Sequence, residues 1–171
     1  MVAERQGQAA ADAVLTRIGQ VVILHHAGDR EEARRRLLDL WAEVGEHGDP
    51  LYRCTLAHYL ADTQDDPADE LAWDLRALTA AEEIARDGPA AREGALAVRA
   101  FYPSLHLSLA ADYAGLGQRD AARTHLRRAR SAAADLADDG YGQGVRAAIR
   151  RWESRLGEGG GEAWTPPRQR P

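Results

Sequence analysis

The stretch His106-Leu-Ser-Leu109-Ala110-Ala-Asp-Tyr113-Ala-Gly-Leu-Gly117, followed by Ala122, Leu126 and Ala129, decides the fold. Apolar residues recur at helical spacing on both sides of Gly117. Glycine adopts the left-handed backbone of a tight turn without steric cost. The stretch therefore predicts a helix, a turn at Gly117, and a second helix folded back on the first.

The composition around it agrees. At 171 residues the chain suits one domain with a core of its own. Hydrophobic residues make up 44% but aromatics only 6%. Ala and Leu dominate, which favours helix over strand. All 22 basic residues are Arg, a bias that fits a GC-rich genome of the actinobacterial type. The net charge of -5 leaves no global basic field for nucleic acid or anionic lipid. Cys54 is the only cysteine, which excludes an intrachain disulfide and fits a reducing cytoplasm. The first residues lack a signal-peptide core, and no apolar run approaches the roughly 20 residues that span a bilayer. A cytoplasmic protein without membrane contact is expected.

Periodicity predicts helices over about 6–27, 30–46, 51–63, 68–86, 103–117, 119–138 and 144–156, with a further helical piece over 90–101. Gly28 ends the first. Asp29 caps the second, with Glu32 three residues on as in a capping box. Pro103 belongs in the first turn of its helix, where a missing N–H costs nothing. The last helix buries Val145, Ile149, Trp152 and Leu156 on one face. Residues 157–171, rich in Gly and Pro, form a flexible tail outside a helical domain over 6–156.

The Gly117 hairpin resembles the tetratricopeptide repeat (TPR), whose motif runs W-x2-L-G-x2-Y and then A-x3-F. His106 stands in the Trp place, Leu109 and Ala110 in the Leu-Gly places, Tyr113 in the Tyr place, and Ala122 and Leu126 in the Ala and Phe places. Gly28, Ala33 and Leu37 match the turn and second helix of an earlier pair, while Gln20 and Val21 depart from Leu-Gly. The middle pair fits only with about two extra turn residues. The resemblance covers about residues 10–138. It implies an all-α, TPR-like solenoid of about three helix pairs with a C-terminal capping helix.

It also implies a function: non-catalytic binding of a protein or peptide in the concave groove, with no cofactor. Carried over to this chain, the groove residues are His25, His26, Cys54, His58, Asp62, Ser104, Leu107 and Ala111. A homo-oligomer, through an apolar helix face or with Trp164 as an aromatic anchor, is a further mode of interaction. The residues leave another class open. His58 and Asp62 are i,i+4 and share a helical face. With His25 and His26 they form a set of imidazoles and a carboxylate of the types that hold divalent metals, or that serve a small-molecule sensor or enzyme. No ligand motif of known spacing accompanies them, so solvated or groove-lining histidines account for them equally well, and no metal is assigned.

Other features weigh less. His106 in an aromatic's place reads as interhelix packing with a hydrogen bond, against a titrating or ligand-contact role. Asp65-Asp66-Pro-Ala-Asp69 spells a DDxxD magnesium motif, but before a helix acidic residues are ordinary caps. Gly140-Tyr-Gly-Gln-Gly144 reads as a flexible connector; its amides could also hold an anion beside Arg146. Arg123, Arg127, Arg128 and Arg130 read as a solvated face, with an acidic partner or phosphate as the sharper reading.

Overall fold

A computed structural model describes residues 2–86 and 92–158, with side chains over 13–86 and 100–157. Among them are seven α-helices and no strand, so the protein is all-α: α1 (Val2–His26), α2 (Arg30–Val44), α3 (Pro50–Asp62), α4 (Pro67–Arg86), α5 (Arg92–Gly115), α6 (Arg119–Ala133) and α7 (Gly140–Glu158). None of the described helices is long and apolar enough to cross a membrane. The chain divides into two compact units, Met1–Arg99 and Ala100–Pro171.

Aspartates start four of the helices. Asp29 accepts a hydrogen bond from the Glu32 amide at 3.3 Å, and Asp49 from the Leu51 amide at 2.8 Å. Asp66 accepts from the Ala68 amide at 2.7 Å, and Asp139 from the Gly142 amide at 2.8 Å. Each satisfies an amide that has no partner in the first helical turn. The Glu32 carboxylate does not close a capping box. It accepts from Arg35 and Arg36 instead, at 2.6 and 2.7 Å.

The Gly28 and Gly117 turns are built alike. Gly28 has φ +97° and Gly117 φ +75°. The residue after each glycine donates its amide five residues back, Asp29 to Leu24 and Gln118 to Tyr113, a helix-ending motif that needs a left-handed residue. Asp29 at φ -89°, ψ 67° and Gln118 at φ -87°, ψ 67° then open the next helix with the same backbone.

In the first unit α1 packs on α2, α2 on α3 and α3 on α4. Its core gathers Ile18 and Val21 of α1, Ala33, Leu37 and Leu40 of α2, and Leu56 and Leu60 of α3, with Trp41 and Trp73 packed edge to face at 5.0 Å. Elsewhere on α1 the apolar Leu15 and Ile23 are exposed. On α4 the buried face is set by Asp74, Ala77, Ala81 and Ile84, and Leu75 points outward.

In the second unit Ala110 of α5 meets Ala122, Leu126, Ala129 and Ala133 of α6 and Val145, Ile149 and Leu156 of α7. Small residues let the α5 and α6 backbones approach, and α7 covers the pair with the four residues expected of it.

Three expectations are corrected. The pieces over 90–101 and 103–117 are one helix, Arg92–Gly115, with Pro103 inside it rather than at its first turn. Pro103 is fully buried; tertiary burial overrides the loss of one amide donor. The glycine-rich stretch 140–144 is the start of α7, not a connector. Gly142 tolerates no side chain there, because a Cβ would stand 2.2 Å from the Ala137 carbonyl oxygen. Third, α6 ends at Ala133 rather than near 138. Arg146 caps that end, donating to the carbonyls of Ala133, Leu136 and Ala137 at 3.2–3.3 Å. The tail from 159 onward, with Trp164, and residues 87–91 lie outside the described residues.

Candidate functional site

The eight groove residues fall into both units. His25, His26, Cys54, His58 and Asp62 belong to the first, and Ser104, Leu107 and Ala111 to the second.

In the first unit α3 presents Cys54, His58 and Asp62 one turn apart. The partner that organises them is Asp74 of α4, only 2% exposed. His58 Nδ1 lies 3.4 Å from Asp74 Oδ1. Burial works against the imidazolium, but the hydrogen bond and charge of Asp74, with the charge of Asp62, outweigh it and raise the His58 pKa. Desolvation also raises Asp62, with the Asp74 charge adding to it and His58, His25 and His26 opposing. Glu70, one turn before Asp74, is raised by desolvation and by Asp74 and Asp62. Asp62 thus sits in a field shared by all three histidines, as their sequence positions suggest. His25 and His26 lie ring to ring at 5.8 Å, and His25 Nδ1 is buried without a hydrogen-bond partner among the described residues. Among those residues no three His, Cys, Asp or Glu side chains converge as metal ligands.

Cys54 is 1% exposed. Burial, with the Asp74 charge, pushes its thiol up to about 12. A thiol held protonated in the core neither attacks a substrate nor meets a groove ligand.

The DDxxD residues are structural. Asp65 pairs with Arg30 and Arg34 at 2.9 and 2.7 Å, and Arg34 Nε donates to the Thr63 carbonyl at 2.8 Å. Two arginines of α2 thereby hold the turn between α3 and α4, while Asp66 caps α4.

In the second unit Ser104 shares a 2.7 Å hydrogen bond with the Tyr141 hydroxyl, and Leu107 packs against the core. Ala111 opens onto a cavity. That cleft, about 510 Å³, is floored by Ala111, Ala114 and Gly115 of α5 and walled by Trp152 and Leu156 of α7, with Gly117, Arg119 and Arg155 at its rim. The Arg155 guanidinium lies 5.2 Å from the Trp152 ring centroid. Arg119 donates to the Leu156 carbonyl at 3.0 Å, as does Arg123, so two α6 arginines neutralise the carbonyl end of α7.

Between α5 and α6, His106 and His125 are both 8% exposed, with Nδ1 atoms 3.1 Å apart. Tyr102 stacks on His106 and Tyr113 on His125. Burial first, then the charges of His125 and Arg128, pushes His106 down to about 4. Burial, with Arg128, lowers His125 as well. The interhelix packing role read for His106 is what this geometry provides.

Sequence reasoning missed Asp74, His125 and the Trp152–Arg155 wall. Asp74 had a signal: it lies three and four residues before Ala77 and Leu78 on the buried stripe of α4, and a carboxylate there demands a partner. The cleft had none, because its floor consists of small residues that carry no chemistry in the sequence. Compared with family models, curated proteins and solved structures, the chain matches none.

Proposed function

We propose that this protein is a non-catalytic recognition module, a TPR-like helical-hairpin protein that holds a segment of a protein partner against its helices. The observation that carries the reading is the α5–α7 cleft. It is concave, mostly apolar, and of a size suited to side chains of a ligand. The likeness of the Gly28 and Gly117 turns supports the repeat reading: Ala33 and Ala122 follow their caps at the same spacing, as do Leu37 and Leu126, and all four are buried. The alternative reading, a sensor or enzyme centred on His25, His26, His58 and Asp62, draws support from the shared field around Asp62. The ligand geometry there is that of a His58–Asp74 pair rather than of a metal cage.

The test is capture from native lysate on the immobilised full chain, beside Gly115→Leu and His58→Ala/Asp62→Ala. A Cβ at Gly115 meets nothing within 4 Å and Gly115 lines the cleft, so leucine there adds bulk at the cleft. A species retained by the wild type and lost with Gly115→Leu supports the cleft as the recognition site. One lost only with His58→Ala/Asp62→Ala moves recognition to the first unit. Capture that survives both variants counts against the proposal.

A further inference from the structure

We infer that the α5–α7 cleft takes an acidic peptide segment bearing an apolar anchor residue; this rests on the recognition reading above and names its ligand class. The floor of Ala111, Ala114 and Gly115 offers depth and no polar partner, which suits an aliphatic or aromatic side chain. The rim carries two guanidiniums, Arg119 and Arg155. Among the described residues neither Arg119 nor Arg155 has a carboxylate partner, whereas Arg30, Arg34, Arg35 and Arg36 of α2 each have one. Arg123 and Arg130, on the same helix as Arg119, meet Asp120 and Glu153.

The two rim guanidiniums are also held in place. Arg119 is fixed by one nitrogen on the Leu156 carbonyl, leaving other N–H groups for an acceptor. Arg155 lies over the Trp152 ring, which orients its planar fork. Preorganised arginines lose little entropy when a carboxylate arrives. Peptide is favoured over nucleic acid because Trp152 is the one aromatic among the lining residues of the cleft and Arg155 lies over one of its faces, so successive bases have no series of rings to stack on.

The experiment is fluorescence anisotropy with the full chain and four labelled probes: a short Glu-rich peptide with a central Leu-Leu anchor, its Gln-for-Glu counterpart, its Ser-for-Leu counterpart, and oligothymidylate. The expected result is that the acidic anchored peptide binds at least about tenfold more tightly than each of the others. Binding weakens as salt is raised. It falls by about tenfold or more in Arg119→Gln/Arg155→Gln and again in Gly115→Leu. Far-UV circular dichroism and the urea midpoint of both variants should match the wild type; a shifted midpoint in the arginine variant leaves Gly115→Leu as the deciding one. Equal binding of the Gln counterpart, lost in Gly115→Leu, overturns the acidic class and leaves peptide recognition standing. Binding insensitive to Gly115→Leu, tighter oligothymidylate binding, or no binding of any peptide overturns the inference, and the last, joined to failed lysate capture, overturns the recognition reading too.

Discussion

His106 and His125 bring their Nδ1 atoms to 3.1 Å of one another between α5 and α6. Both rings are nearly buried, so the contact is a hydrogen bond between neutral imidazoles, one donating and the other accepting. The imidazole pair fills the space between the two helices while adding a titratable bond.

The folded pKa of His106, about 4, lies below its ordinary value of 6.5. The unfolded chain therefore takes up a proton first as pH falls. Stability associated with the pair is intact above pH 6.5 and declines as pH drops toward 4, by up to about 3 kcal/mol for His106. Urea unfolding followed by tryptophan fluorescence at pH 7 and pH 5, for wild type and His106→Phe, checks this. The wild type should lose stability over that interval relative to the variant; parallel behaviour of the two would disprove it.

The His58–Asp74 pair has the opposite sign. The His58 pKa is raised, so its contribution is fully present below pH 6.5 and is lost as pH rises through the folded value. An NMR titration should place the His58 imidazole above 6.5 in the wild type and lower in Asp74→Asn. Replacing Asp74 also breaks a buried pair, at a cost of about 3–5 kcal/mol. A His58 titration unmoved by Asp74→Asn would contradict the assignment.

Two glycines in the first turns of α7 should respond in opposite directions to alanine. At Gly142 the new Cβ meets the Ala137 carbonyl oxygen at 2.2 Å, a backbone atom that cannot step aside, and Gly142→Ala should destabilise by about 1–3 kcal/mol. At Gly144 nothing lies within 4 Å, and Gly144→Ala should stabilise by about 0.5–1 kcal/mol through helix propensity. Thermal unfolding of the two variants side by side decides; the same sign for both would rule out this account of the turn.

Arg146 satisfies three carbonyls at the end of α6 and pairs with Asp138. Arg146→Met keeps the apolar stem and removes the donors. It should cost about 1–3 kcal/mol, since two of the freed carbonyls, those of Ala133 and Leu136, are part-buried. Arg146→Lys should recover only part of that, because one ammonium cannot span the positions that a planar fork reaches. Hydrogen exchange at the α6 C-terminus should quicken in both, more in Arg146→Met; unchanged exchange would refute the capping role.

What the sequence by itself determined is local. Asp29 and the acidic turn holding Asp66 mark helix starts, and Gly28 and Gly117 mark turns, because a cap or a left-handed residue acts within a few positions of the chain. The apolar stripe of α7 was legible for the same reason, since helical spacing alone sets which residues share a face. Ala122 and Leu126 were legible from their distance to Gly117. Tertiary structure decided the rest. Pro103 and Gly142 entered helices against their local preference, because burial outweighs propensity. Asp74, rather than Asp62, became the partner of His58, because α3 and α4 face one another only after folding. Cys54 went to the core, and Ala111 came to line a cavity. The arginines of α2 were matched with acids while Arg119 and Arg155 were not, and no sequence spacing encodes that difference, because charge compensation depends on which helices come to lie side by side.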